Sequence, residues 1–291
     1  MIALQTVAAM AADARDTPIR VTDDLDRPVL LSQPARRVVT LSPHLTENLY
    51  SVGAGDRLIA TIEHSDYPSA VRSVPKLGDA LHLDWERLIS LKPDLVLVWA
   101  TGGAGANLDM LTRLGLTAYV SELRRMEDIP RDLENIGRLT GNAEEASQVA
   151  RAFERDMRLL RSTYADKTPV SVFYALWDKP LMTVGNRQII HQALSLCGAI
   201  NVYDDLDALA PVISEESLAV RQPELIVAGA KPEEQAGRVG NWQRLHGVEA
   251  IQRGDWLFVD PDNLARPTVR FIDGVRELCE GIDRFRERKG M

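Results

Sequence analysis

Two segments of this chain read as copies of one helix and strand unit. DWERLISLKPDLVLVWA, from Asp84 to Ala100, aligns with SEESLAVRQPELIVAGA, from Ser214 to Ala230, at an offset of 130 residues that carries Glu86 onto Glu216. Each copy opens on an acidic capping position, Glu86 or Glu216, continues as an apolar helix, meets Pro93 or Pro223, and ends in an apolar strand. A helix feeding a buried strand is the unit of a parallel sheet, because parallel strands need a crossover and the crossover helix covers the sheet. Two copies this far apart predict two α/β lobes. With 291 residues, 45% of them hydrophobic, the chain can fill two modest cores.

The rest of the chain fits that division. IRVTDDLDRPVLL reads as a hairpin about a polar turn containing Asp23, Asp24 and Pro28. From Arg37 strands and helices alternate: RVVTLSP is a buried strand running into a helix capped by Ser42-Pro43 and reaching Gly53, RLIATIE is the next strand, and NLDMLTRLG with LTAYV completes the half. Asn142 followed by Glu145 is a capping-box signature, and Val149, Phe153, Met157, Leu160 and Tyr164 recur at helical spacing. A helix from Ala143 to Tyr164 spans about 33 Å, enough to pass from one lobe to the other. VSVFYALW then begins a second strand series that includes the helix QIIHQALSLCG and ends in WLFVD and a long terminal helix. The expected layout is an N-terminal α/β lobe over 19–140, an interlobe helix over 141–166 and a C-terminal α/β lobe over 167–291, both sheets mainly parallel.

Residues 1–14, MIALQTVAAMAADA, are Ala-rich and weakly apolar, with small-x-small patterns at Ala9-Met10-Ala11 and Ala12-Asp13-Ala14, and read as the tail of a secretory signal. No Lys or Arg precedes Arg15, which places the first residue inside the apolar region of that signal. With no Cys nearby to take a lipid, export leaves the protein free in a periplasm. No run approaches the roughly 18 apolar residues of a membrane span. A net charge of −8 lacks the basic footprint that nucleic acid requires. The two cysteines, Cys197 and Cys279, form either a disulfide, which suits an exported chain, or two buried thiols.

Enzyme signatures are missing. TGGAGAN, Thr101 to Asn107, occupies a strand-to-helix loop but lacks both the GxGxxG spacing and a Gly-Lys-Ser/Thr ending, and no GxSxG, HExxH or CxxC unit occurs. His44, His64 and His82 lie near strand exits of the first lobe, where α/β proteins bind ligands, while His191 and His246 lie in the second; their spacing matches no metal-ligand template. Tyr67, Trp85, Trp99 and Trp177 also fall at strand exits or helix starts, which suggests a pocket for a large flat ligand. A glutamate in a first helical turn is sufficiently explained by the macrodipole, but equivalent placement in both lobes makes Glu86 and Glu216 a pair of acidic knobs.

RVVTLSPHLTEN, HSDYP, ERLISLKPDLVLVW, PLMTVG, LCGAINVY and SEESLAVRQPELIVA, in that order, resemble the periplasmic substrate-binding proteins of ABC importers for cobalamin, heme and iron-siderophores, and most of all the cobalamin-binding members. The resemblance runs from about Arg37 to the C-terminus. It implies a non-enzymatic protein, expected to be monomeric, with two lobes bridged by one helix, a ligand held between them, and little hinge closure. It implies that Glu86 and Glu216 each dock on arginines of a permease dimer, and that Cys197 pairs with Cys279. Trp99 and Arg266 match corrinoid-contacting positions, whereas a family tyrosine is here His64 and two tryptophans fall on Ala80 and Ala210; Trp85 and Trp177 would refill the lost apolar surface. The resemblance thus implies a corrinoid ligand against Trp99 and Arg266, to which the positions of Trp85, Trp177 and Tyr67 add expected contacts, with no resident cofactor or metal. Heme, with His64 or Tyr67 as axial ligand, is the nearest alternative, and a ferric siderophore the next.

Overall fold

A computed structural model describes residues 18–101 and 105–291. The segment read as a secretory signal, and Gly102, Gly103 and Ala104 of the Gly-rich run, lie outside the described residues. The chain begins with an antiparallel hairpin, β1 (Ile19–Thr22) and β2 (Pro28–Leu31), and continues through β3 (Val38–Thr40), α1 (Pro43–Ser51), β4 (Leu58–Ala60), α2 (Trp85–Ser90), β5 (Leu95–Trp99), α3 (Gly105–Arg113), β6 (Ala118–Ser121) and α4 (Asp128–Thr140). After α5 (Ala143–Tyr164) come β7 (Val170–Tyr174), the short hairpin β8 (Trp177–Asp178) and β9 (Leu181–Met182), α6 (Ile189–Leu196), β10 (Ala199–Asn201), α7 (Glu215–Arg221) and β11 (Leu225–Gly229). The chain closes with α8 (Pro232–Trp242), α9 (Glu249–Arg253), β12 (Trp256–Val259), α10 (Pro261–Leu264) and α11 (Phe271–Lys289).

The two sheets have the same topology. Their orders, β4-β3-β5-β6 and β10-β7-β11-β12, are all-parallel and identical when the strands of each lobe are numbered from its first. The aligned copies occupy equivalent places, since α2 with β5 and α7 with β11 supply the third strand of each sheet.

Strand residues alternate between two cores, as the period of two requires. Val38, Leu95 and Leu97 of the first sheet and Val170, Val172, Leu225 and Val227 of the second belong to one apolar cluster, which also takes in Phe153, Met157 and Leu160 of α5. Val39, Val96 and Val98 face a separate outer cluster of the first lobe, and Phe173, Ile226 and Ala228 one of the second. The lobes therefore share a continuous core through α5. Hinge opening would have to expose part of that core, at a cost in apolar burial.

Three helix starts differ from expectation. The caps of α2 and α7 are Asp84, which accepts from Arg87 N at 2.9 Å, and Ser214, which accepts from Ser217 N at 3.1 Å. A cap must lie outside the helix to turn its side chain back onto the third amide. Glu86 and Glu216 are both two residues further on, at identical places in the first turn. The Asn142 and Glu145 capping box does not form either: Asn142 makes no side-chain cap bond and donates instead to Gly53 O at 2.9 Å, tying the start of α5 to the end of α1. Helix α1 itself ends at Ser51, two residues short of the expected Gly53.

Cys197, at the end of α6, is bonded to Cys279 of α11 with their Cα atoms 4.7 Å apart. Closing a loop of this length stabilises the fold by about 4 kcal/mol in the chain-entropy account.

Candidate ligand-binding cleft

In each sheet the strand order reverses direction between the first and third strands, β3 and β5 in one lobe and β7 and β11 in the other. Loops that leave such a point on opposite faces of the sheet open a crevice at the carboxyl ends of the strands. Both crevices carry aromatic groups. In the first lobe, His44 follows β3 and meets the edge of Trp99, the last residue of β5, with ring centroids 5.3 Å apart. In the second, Tyr174, Leu176, Trp177 and Gly229 line a cavity of about 730 Å³ together with Lys179, Glu234, Arg238, Pro261 and Ala265.

The two walls are joined by a buried ionic clamp. Glu47 of α1 is 2% exposed and its carboxylate receives both partners from the far lobe: Arg266 Nη1 at 2.8 Å on Oε1, and Arg270 Nη2 at 2.8 Å and Nε at 3.1 Å on Oε2. Arg266 also reaches Asp66 at 2.9 Å, and the Arg270 guanidinium lies 3.9 Å over the ring of Tyr67. Nearby, Asn48 donates to Asp132 of its own lobe at 3.3 Å and to Pro267 O at 3.4 Å, the second bond again crossing between lobes.

On the second wall Asp178 organises a smaller network, accepting from Arg238 and from Trp242 Nε1, both at 3.1 Å, and from Asn241 at 3.3 Å. Arg238 is neutralised there and spends a further bond on Ala175 O at 2.7 Å. Burial pushes the Tyr174 hydroxyl up to about 12, so it remains a neutral donor.

Of the site residues proposed from sequence, Arg266 and Tyr67 come together through the Glu47 clamp. Trp99 stands at the first crevice against His44, and Trp177, 60% exposed, lines the second. Trp85 packs on the outer apolar cluster of the first sheet, and His64 is an exposed loop residue with φ +64°. Arg266 is already saturated by carboxylates, which leaves less of it for a ligand amide than the sequence suggests. Sequence reading missed Glu47, Asp66, Arg238 and Arg270; a charged residue inside the short apolar helix PHLTENLYS was the available signal for Glu47. Among the described residues no cluster of three or more His, Cys, Asp or Glu could hold a metal ion.

Two buried groups make stability depend on pH in opposite senses. Burial, reinforced by Arg266, lowers His44 to about 3. Its contribution is complete above about pH 6.5 and is lost as pH falls toward 3. Burial raises Asp132 to about 6 against hydrogen bonds that include those from Tyr119 and Asn48, so its contribution is complete below about pH 3.8 and is lost as pH rises through 6. Between these limits the slopes oppose. Replacing His44→Gln removes one of them, and urea unfolding at pH 6.5 and 4.5 should show the wild type losing about 2 kcal/mol relative to the variant over that interval. Parallel pH curves for the two proteins would refute the assignment.

The model of the family described as periplasmic binding protein matches residues 38–257. The chain belongs to the periplasmic binding protein family. Among relatives of known name, it is 32% identical over 256 residues to a vitamin B12-binding protein of Vibrio cholerae serotype O1, covering 87% of this chain and 91% of the relative. A vitamin B12-binding protein of Vibrio campbellii is 30% identical over 256 residues, covering 88% and 92%. The solved structure of periplasmic vitamin B12 binding protein BtuF of Vibrio cholerae superposes with a TM-score of 0.78 at 31% identity, over 86% of this chain and 97% of the other. The periplasmic binding protein match takes in both copies of the helix and strand unit, the first crevice, and the second except for Pro261 and Ala265. Arg266 and Arg270 follow it, so the clamp joins the matched segment to the stretch that leads into α11. No helix of the described residues is long and apolar enough to cross a membrane.

Proposed function

We propose that this protein binds a corrinoid of the cobalamin type between its two lobes in the periplasm and delivers it to the permease dimer of an ABC importer. The observation that carries this reading is the pairing of two aromatic crevices across one stiff core in a chain about one-third identical to vitamin B12-binding proteins. A flat macrocycle needs two apolar walls at a fixed separation, and a shared core fixes that separation before the ligand arrives. Trp99 with Tyr67 and Trp177 with Leu176 supply the walls, while Lys179 and loop backbone groups meet amide side chains at the rim. Glu86 and Glu216 support the delivery half of the reading. A helix feeding a parallel strand runs antiparallel to it, so its first turn lies on the carboxyl side of the sheet, the side on which each crevice opens. Both glutamates are exposed there.

Calorimetric titration with cyanocobalamin and hemin tests the reading. Saturable 1:1 binding of cyanocobalamin, weakened at least about tenfold by Trp99→Ala with Trp177→Ala, is expected. Binding of hemin alone, with a visible spectrum altered by His64→Ala or Tyr67→Phe, would replace the corrinoid with heme.

A further inference from the structure

The charged groups of the cleft come in matched pairs. The cavity of the second crevice is lined by Asp178, Lys179, Glu234 and Arg238, two of each sign. Arg238 meets Asp178 at 3.1 Å, with the two side chains 17% and 15% exposed. Beside them Lys231 meets Asp262 at 2.6 Å. Across the lobes Arg266 meets Glu47 at 2.8 Å and Asp66 at 2.9 Å, while Arg270 meets Glu47 at 2.8 Å. Lys231, Arg238, Arg266 and Arg270 thus face Glu47, Asp66, Asp178 and Asp262, one carboxylate for each cation. Lys179, in no ion pair among the described residues, is offset in the lining by Glu234, whose carboxylate accepts from Lys231 N at 2.9 Å.

Stability alone does not require this matching, because a partly buried ion pair is often no better for a fold than apolar groups of the same size. The arginines have a structural use. Arg238 donates to Ala175 O at 2.7 Å and to Gly229 O at 3.3 Å, which fastens the carboxyl ends of β7 and β11, and Arg266 and Arg270 hold the lobes together. A guanidinium used as a fastener still presents its charge to whatever occupies the cleft. Left bare, it would draw carboxylates in preference to neutral groups; with a carboxylate beside it, that preference is cancelled and a second carboxylate is repelled.

We propose that Asp178 and Asp262 determine specificity: they cancel the charge of Arg238 and Lys231, so that the cleft accepts a macrocycle with an uncharged, amide-bearing rim and rejects one whose rim carries carboxylates. This rests on the corrinoid reading and narrows it to the amidated members of that class. Discrimination then comes from repulsion of the wrong ligand as much as from contacts with the right one. Asp178 contributes more than Asp262, because its pair with Arg238 is the more enclosed, against 46% and 31% exposure for Lys231 and Asp262, and is less screened by salt.

The test compares two corrinoids built on the same ring, dicyanocobinamide with amide side chains and dicyanocobyrinic acid with carboxylates in their place, each titrated calorimetrically into the full chain. The wild type should bind the first, and the second at least about a hundredfold more weakly. Asp178→Asn should narrow that ratio about tenfold, and Asp262→Asn by a smaller factor, with both gains shrinking at high salt. In Asp178→Asn the amide keeps an oxygen for Arg238 and Trp242, which share Oδ1, and Asn241 can turn its own amide to meet the new nitrogen. Asp262→Asn covers the case in which that network nevertheless fails to form. A loosened pocket would weaken both ligands together, whereas a gain for the acid is the signature of charge. A ratio unchanged in both variants, or a wild type that binds the acid as tightly as the amide, overturns the inference while corrinoid binding stands. Binding of neither corrinoid by the wild type removes both.

Discussion

Reversing the charge of both acidic knobs, Glu86→Lys with Glu216→Lys, is expected to cut uptake of the ligand more than about a hundredfold while leaving its binding in solution within about twofold. The magnitude follows from what a close interfacial charge pair contributes, about 1.5 kcal/mol at the low end. Two such pairs lost together come to a factor of roughly a hundred or more. Each single reversal should fall between wild type and the double variant, because either lobe alone still engages its half of a dimeric partner. Glu216 is suited to the role: its own backbone amide, and then the Ser214 hydroxyl, hold its carboxyl below the ordinary range, so it is ionised at any pH a periplasm reaches. The fold has little stake in either residue. Both are exposed, neither caps its helix, and a lysine in the first turn costs less than about 1 kcal/mol through the macrodipole. Uptake measured in cells lacking the native binding protein, beside calorimetry on the purified variant, separates delivery from capture. Loss of cyanocobalamin binding in the variant would place these glutamates in the ligand site; undiminished uptake would end their role in docking.

What could be read from the sequence was whatever repeats locally. The copied helix and strand unit gave two lobes, since a helix followed by a buried strand has few ways to pack. The spacing from Val149 to Tyr164 gave the joining helix, whose observed ends, Ala143 and Tyr164, are the expected ones. A crevice was expected at the carboxyl ends of the parallel strands, and Trp99 and Trp177 drew attention by their places at strand exits. The clamp could not be read that way. Glu47 meets Arg266 and Arg270 across 219 and 223 residues, and nothing in PHLTENLYS or in the segment around Arg266 indicates the other. The resemblance alone assigns Arg266 to the ligand, and the sequence gives no sign that its guanidinium is also held by Glu47 and Asp66 of the opposite lobe. Trp85 shows a related limit. A tryptophan at a helix start can face a cleft or lie on the sheet behind it, and only the packed structure puts it on the outer cluster. The helix caps differ for a simpler reason, because a glutamate two residues inside the helix looks like a cap until the shorter side chains of Asp84 and Ser214 are seen to reach the third amide first.

Removing the clamp is expected to be the most destabilising single change of charge in the molecule. Glu47→Gln keeps the shape of the side chain but takes from Arg270, about one-fifth exposed, its carboxylate partner and leaves Arg266, equally buried, only Asp66 and Asp262. Breaking a buried pair from one side costs about 3–5 kcal/mol, because the remaining charge loses its partner without regaining water. For a chain of this length that corresponds to a fall in Tm of about 6–20 °C. Arg266→Ala or Arg270→Ala should each cost less, since Glu47 retains the other arginine, and combining Glu47→Gln with Arg270→Ala should recover part of the loss of Glu47→Gln alone. That recovery is the diagnostic outcome, as a defect of packing in α1 would add to the second substitution instead of being relieved by it. Amide hydrogen exchange should locate the effect, with protection falling first in α1, α10 and the start of α11, where the lobes meet, and last in β5 and β11. A Glu47→Gln protein as stable as wild type, or one whose extra exchange is confined to the outer faces of the sheets, would mean that the shared core around α5 alone sets the distance between the walls.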